Sequence, residues 1–209
     1  MSKKNNKMQK PKIFEARIAT LGDTTVGKTS LTVKYVDETF DLNTLHTIGV
    51  DSKIKYITLE NGENIKVILI DTAGQEIYRS LAANYLKKAD GILLVYDITE
   101  QQTFEGVKRW AESIKEQTED DKPIILIGNK TDLNDKRAVN KEDGEKFAKT
   151  LGDGVKFYET SCKTGENVED AINDLVYQIY VNNSGINTNR ENNIKLDAKK
   201  QGKSKNKCC

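Results

Sequence analysis

Residues 22 to 30 read Gly-Asp-Thr-Thr-Val-Gly-Lys-Thr-Ser, two glycines bracketing four residues with a lysine and two hydroxyls behind them. This is the pattern G-x-x-x-x-G-K-[ST], and it lies between the apolar run Ile18 to Leu21 and a segment of helical periodicity. The backbone N–H groups of such a loop converge on an anion at a helix N-terminus, where the helix dipole also favours negative charge. Lys28 is placed to reach the β- and γ-phosphates of a nucleotide, and the Thr29 hydroxyl to ligate Mg²⁺. Gly22, Asp23, Thr24, Thr25, Val26, Gly27 and Ser30 supply the rest of the cradle. A plain glycine-rich turn would leave the Lys-Thr pair without a reason.

Two further stretches sit at the ends of apolar runs. Asp71-Thr-Ala-Gly-Gln-Glu76 follows Ile65 to Ile70, which puts Asp71 at a strand's carboxyl edge, where ligands bind in open α/β sheets. A carboxylate there can hold a metal ion through water, Gly74 lets the backbone approach a γ-phosphate, and the Gln75 amide can orient an attacking water. Asn129-Lys-Thr-Asp132 follows Ile124 to Gly128. The Asp132 carboxylate can accept from both N1–H and the exocyclic amine of guanine, a donor pair that adenine does not offer. Asn129 would tie the neighbouring loops together, and the Lys130 stem would cover the base.

These residues need a frame that brings strand ends to one edge. Short apolar strand signals alternate with helical ones: Phe14 to Leu21, Ile65 to Ile70, Gly91 to Asp97, Ile124 to Gly128 and Val155 to Thr160 are the candidate strands. This pattern predicts an α/β fold with a mostly parallel sheet, covered by helices on both faces. Val50 to Leu59 alternates instead and leads through Asn61-Gly62, a two-residue hairpin signal, so it is expected to be an antiparallel edge strand. Helical spacing follows Lys28 and recurs in Val107, Trp110, Ala111 and Ile114. It is clearest in Val168, Ala171, Ile172, Leu175, Val176 and Ile179, with Asn167 placed as the cap. Trp110, Tyr177 and Tyr180 fall on helical spacing and are read as packing residues.

Composition limits the alternatives. A chain of 209 residues with 36% hydrophobic and 31% charged residues holds one core and solvated ends. Residues 1 to 12 are lysine-rich, and residues 182 to 209 are rich in Asn and Lys; both are expected to be disordered, leaving 13 to 181 as the folded domain. A net charge of +1 gives no case for nucleic acid as a partner. No run is long enough to span a bilayer and no signal peptide is visible, which predicts a cytoplasmic start. Three cysteines, two of them terminal, make no disulfide framework, and the single histidine, His46, reads as a solvated loop residue.

GDTTVGKT, TIGVD, DTAGQE, NKTD and ETSCKTG, in this order and spacing, resemble the Ras superfamily of small GTPases. Within it, GILLVYDIT at 91 to 99 and the final Cys-Cys are similar to the Rab family. The resemblance covers about residues 13 to 181 and implies a P-loop G domain with six strands. It implies GTP and GDP as ligands with Mg²⁺, slow unassisted hydrolysis, and a switch role in vesicle and membrane trafficking. By the same resemblance Thr47 joins Mg²⁺ and senses the γ-phosphate, Phe40 stacks edge-on against guanine, and Ser161, Cys162 and Lys163 form the loop whose backbone N–H at Cys162 meets the guanine oxygen. The usual alanine at 162 is here a cysteine, read as a small buried hydrophobe rather than a reactive thiol.

Partners implied in this way are an exchange factor, a GTPase-activating protein, a GDP-dissociation inhibitor or escort protein, and effectors. The chain departs from the Rab pattern at Ser52, usually Phe, and at Ile70, usually Trp. Both aromatics belong to the surface that partners read. Thr24 and Thr25 stand where relatives carry glycine or serine, and the Thr24 methyl is expected to narrow the space an activator shares with Gln75. Lysines 199, 200, 203, 205 and 207 lead into Cys208 and Cys209. The resemblance implies two prenyl chains there; with the lysines facing anionic lipid they would hold the protein stably on the cytoplasmic face of an endomembrane or the plasma membrane. Two rival functions are a GTP-binding scaffold with little hydrolysis and an ATP-dependent P-loop enzyme.

Overall fold

The computed structural model describes residues 13–40, 50–72, 85–118 and 122–185. His46, Thr47, Gly74, Gln75, Cys208, Cys209 and the N-terminal extension lie outside the described residues. In chain order the elements are β1 (Phe14–Leu21), α1 (Lys28–Asp37), β2 (Val50–Thr58), β3 (Asn64–Thr72), β4 (Gly91–Asp97) and α2 (Gln101–Gln117). There follow β5 (Ile124–Asn129), a 3-10 segment (Thr131–Lys136), α3 (Lys141–Leu151), β6 (Lys156–Thr160) and α4 (Val168–Ser184).

Among the described residues the strands form one sheet of six in the order β2-β3-β1-β4-β5-β6. Only β2 runs antiparallel, paired with β3 from Val50 opposite Thr72 to Thr58 opposite Asn64. The expected fold class is therefore observed, antiparallel edge included. The hairpin differs in its turn: Leu59 N–H donates to Glu63 C=O and Gly62 N–H to Leu59 C=O, which closes a three-residue loop. Gly62 has φ 84°, the left-handed position such a loop needs, so the Asn-Gly signal marked the turn but misjudged its length.

The central strands are apolar on both faces because helices cover both. Every residue of β4 is buried. One core lies under α1 and α4, where Ile18, Val67, Leu93, Val95 and Ile127 meet Leu31, Ile172, Leu175 and Val176. The other lies under α2 and α3, where Leu94, Tyr96 and Leu126 meet Phe104, Val107, Trp110 and Ala148. Trp110 is 7% exposed, and Tyr180 packs edge-on against Phe14 at 5.4 Å, as their helical spacing suggested.

Asn167 occupies the N-cap position of α4, but with φ 54° and without a side-chain cap bond. Its Nδ2 donates instead to the Glu159 carbonyl at 2.8 Å. A tertiary partner has taken the side chain that local pattern assigned to capping. Helix α4 continues to Ser184 and closes on Gly185 in the left-handed region, beyond the apolar stripe that ends near 181.

Candidate nucleotide site

The sheet register aligns the chemistry. Thr20 pairs with Asp71, Asp97 with Asn129, and Asn129 with Thr160, so the carboxyl ends of β3, β4, β5 and β6 form one edge around the loop that leaves β1. From β1 the chain builds towards β3 on one side and β4 on the other, the switch point where α/β sheets open a crevice.

The loop from Gly22 to Gly27 is shaped by its glycines. A Cβ at Gly22 would lie 2.1 Å from the Val95 carbonyl oxygen, and one at Gly27 would lie 2.3 Å from Asn129 Nδ2. Gly27 caps α1 at φ 99° without a side-chain hydrogen bond, so the first turn of α1 offers backbone N–H groups to a ligand. Lys28 is 5% exposed, and its Nζ donates to the carbonyls of Gly22 at 2.9 Å and Asp23 at 2.7 Å. Burial pulls the Lys28 pKa down to about 8, with the Asp71 and then the Asp23 carboxylate opposing. A cation that the interior penalises gains from a polyanion bound beside it.

Thr25 adds strain. It is exposed, and its φ of 62° is left-handed, which costs a β-branched residue about 1–2 kcal/mol. Glycine would relieve that but add entropy to the unfolded chain, so Thr25→Gly should stabilise the protein by roughly 0.5–1 kcal/mol. Thermal melting of the GDP-loaded variant should show a rise of about 2 °C. A lower melting temperature would mean that the Thr25 side chain makes contacts worth more than its backbone cost.

Thr29 Oγ1 donates to Asp71 Oδ2 at 2.6 Å, bringing a hydroxyl and a carboxylate together at the mouth of the loop. Hard oxygen donors of this kind suit Mg²⁺, which takes one or two protein ligands, phosphates and water rather than a full cage. The residues fit a magnesium nucleotide.

Asn129 joins the other half of the site to the first. It is 2% exposed; its Nδ2 donates to the Val26 carbonyl at 2.8 Å, while Thr160 Oγ1 at 3.1 Å and Cys162 Sγ at 3.4 Å donate to its Oδ1. Asp132 accepts from Ser161 Oγ at 2.7 Å, and Lys163 Nζ lies 4.0 Å from its other oxygen. Lys130 takes a left-handed backbone, φ 74°, and pairs with Asp97 at 2.6 Å. Phe40 packs half-buried against the core beneath α1. Cys162 is 4% exposed, and burial pushes its thiol up to about 12, so at neutral pH it is a protonated, poorly reactive group.

Several supporting residues escaped the sequence reading. Asp97 aims Lys130, and Thr99 N–H and Oγ1 donate to its other oxygen at 2.8 and 2.7 Å. Thr160 holds Asn129. Asp97 ends an apolar strand, the same signal that revealed Asp71, and could have been found by it; Thr160 ends β6, whose Lys156 and Glu159 break any apolar run.

A model of the Ras family matches residues 17–181. Ras-related protein Rab-8B of Homo sapiens is 43% identical over 163 residues, 78% of this chain and 77% of its own. The chain is a Rab-family small GTPase. Ras-related protein Rab-13 of Mesocricetus auratus is 39% identical over 169 residues, 81% of this chain and 82% of its own. Ras-related protein SEC4 of Saccharomyces cerevisiae is 36% identical over 198 residues, 92% of this chain and 90% of its own. As a Rab-family GTPase the protein binds GTP and GDP with Mg²⁺, hydrolyses GTP to GDP, and serves as a switch in vesicle trafficking. Exchange factors, activating proteins, GDP-dissociation inhibitors and effectors are the partners of such a switch. Neither the scaffold nor the ATP-dependent alternative gains support. Among the described residues no helix is long and apolar enough to cross a membrane.

Proposed function

We propose that the edge formed by β1, β3, β5 and β6 is where this GTPase holds its nucleotide, phosphates on the 22–30 loop and guanine on the 129–132 and 161–163 loops. The observation that carries this reading is the Asn129 side chain, which bonds the Val26 carbonyl of one loop while accepting from Thr160 beside the other. Phosphate binding and base recognition are thereby held at a set distance. Lys28 neutralises the β- and γ-phosphates; Thr29 and, through water, Asp71 hold Mg²⁺. That ion, when bound, offsets phosphate charge. Asp132 selects guanine, Ser161 and Lys163 orient its carboxylate, Lys130 and Phe40 flank the base, and the Cys162 backbone meets the guanine oxygen.

In the switch, Thr47 and Gly74 sense the γ-phosphate and Gln75 orients water, so loss of that phosphate releases both segments. The folded unit runs from 13 to the end of α4 at Ser184, a turn beyond the boundary read from the apolar stripe, with a basic N-terminal extension and a C-terminal tail. Cys208 and Cys209 carry prenyl chains, and the tail lysines face anionic lipid on the cytoplasmic side of an endomembrane or the plasma membrane. Gln75→Leu should keep GTP affinity within about twofold, since Gln75 touches water rather than the nucleotide, and slow single-turnover phosphate release at least tenfold. Unchanged release would remove Gln75 from that role. Binding of ATP as tight as GTP would overturn the base assignment, and the intact mass of the C-terminal peptide from cells reads the two lipids directly.

A further inference from the structure

Asp23 places a carboxylate in a loop shaped for a polyanion, where like charges repel. Its side chain is turned away onto helix α2. Oδ1 accepts from the Trp110 indole Nε1–H at 3.0 Å, and the Arg109 guanidinium stands 3.7 Å from Oδ2. Gly106 makes the room: a Cβ there would lie 2.1 Å from Oδ2. Trp110 is held in the second core among Phe104, Val107 and Ile114, so the donor is rigid. The backbone carbonyl of the same Asp23 accepts from Lys28 Nζ at 2.7 Å. A contact between residues 87 apart in sequence thus ends one residue's length from the lysine of the phosphate loop.

We propose that Asp23 and Trp110 form a latch in which helix α2 positions the phosphate loop and Lys28, and thereby sets how slowly bound nucleotide leaves. The proposal rests on the 22–30 loop being the phosphate site. Trp110 and Asp23 are positioning residues: they act on the nucleotide through the loop backbone and through Lys28. A hydrogen bond from a packed indole to a carboxylate is charge-assisted and strong enough to hold one loop conformation. With the latch open, Asp23 can swing towards the phosphates, which adds repulsion to the loss of order. Trp110 is also the chain's single tryptophan, so its emission reports on the latch.

The test is release of a fluorescent GDP from the full chain into excess unlabelled GDP. Trp110→Phe, which keeps an aromatic ring but removes the donor, and Asp23→Ala, which removes the acceptor at a partly exposed position, should each speed release about tenfold. Gly106→Ala should do the same by displacing the carboxylate, although alanine favours the helix it sits in. Asp23→Asn keeps a carbonyl acceptor for the indole and should recover most of the loss. The double variant Trp110→Phe with Asp23→Ala should release no faster than the faster single one, and Asp23→Ala should shift the Trp110 emission. Lys28→Ala serves as the separate control. If it still holds GDP as tightly as the parent protein, the phosphate-site reading falls and the latch with it. If it loses GDP while Trp110→Phe and Asp23→Ala release within twofold of the parent, or if their effects multiply in the double variant, the latch alone is overturned.

Discussion

Asp132→Asn should lower GTP affinity by about 10³-fold and raise affinity for xanthosine triphosphate. A carboxylate accepts two charge-assisted hydrogen bonds from the guanine N1–H and amine, each about 1.5–3 kcal/mol, and a site that loses such a match discriminates by several orders of magnitude. Asparagine offers one acceptor and one donor. That pair repels the guanine amine but suits xanthine, which has a carbonyl at the same position. The fold should tolerate the change, because the Ser161 hydroxyl donates to Oδ1, an acceptor that asparagine keeps. Equilibrium binding of both nucleotides to the purified variant is the measurement. An unchanged preference for GTP would show that guanine is recognised elsewhere.

Asn129→Ala should be the most damaging single substitution to the site as a whole. The side chain is 2% exposed and satisfies the Val26 carbonyl from one segment and the Thr160 hydroxyl and Cys162 thiol from another. Alanine leaves those groups buried and unbonded at about 1–3 kcal/mol for each of the two stronger ones, so roughly 3–5 kcal/mol is lost from a total that is commonly 5–15. The nucleotide-free protein should melt about 10 °C lower. GTP affinity should fall as well, because the phosphate loop and the base loop are no longer held in register. Separate melting curves with and without GDP distinguish the two effects; a variant that melts like the parent would mean that water replaces the amide at no cost.

The two substitutions divide the site along the line that separates local from tertiary information. Asp132 could be nominated from sequence because the role proposed for it depends on chemistry carried by one residue just past the end of one apolar strand. The same holds for Lys28, Thr29 and Asp71: a hydrophobic run ends, a polar residue of the right type follows, and parallel strands bring such ends to one edge. The antiparallel β2 was legible for a similar reason, since alternation and an Asn-Gly turn are short-range signals, whereas the strand order emerged only in the folded sheet. The turn's length was not, because Leu59 and Glu63 close the loop through a backbone pairing that composition does not encode.

What escaped the sequence lies in how one segment of the chain meets or leads into another. Asn167 has the right type and place to cap α4, yet the Glu159 carbonyl takes its amide. Trp110 reads as a core residue and is one, but the direction of its indole N–H, towards Asp23, follows only from how α2 seats on the sheet. The left-handed backbone of Thr25 likewise depends on the path the loop must take between β1 and α1. The nucleotide chemistry and the family could be read from the amino-acid order alone, because reactive groups and their spacing are written residue by residue. Which side chains hold those groups still became visible in the folded chain, since hydrogen-bond direction and close approach are set by packing between segments and leave no pattern in any one of them.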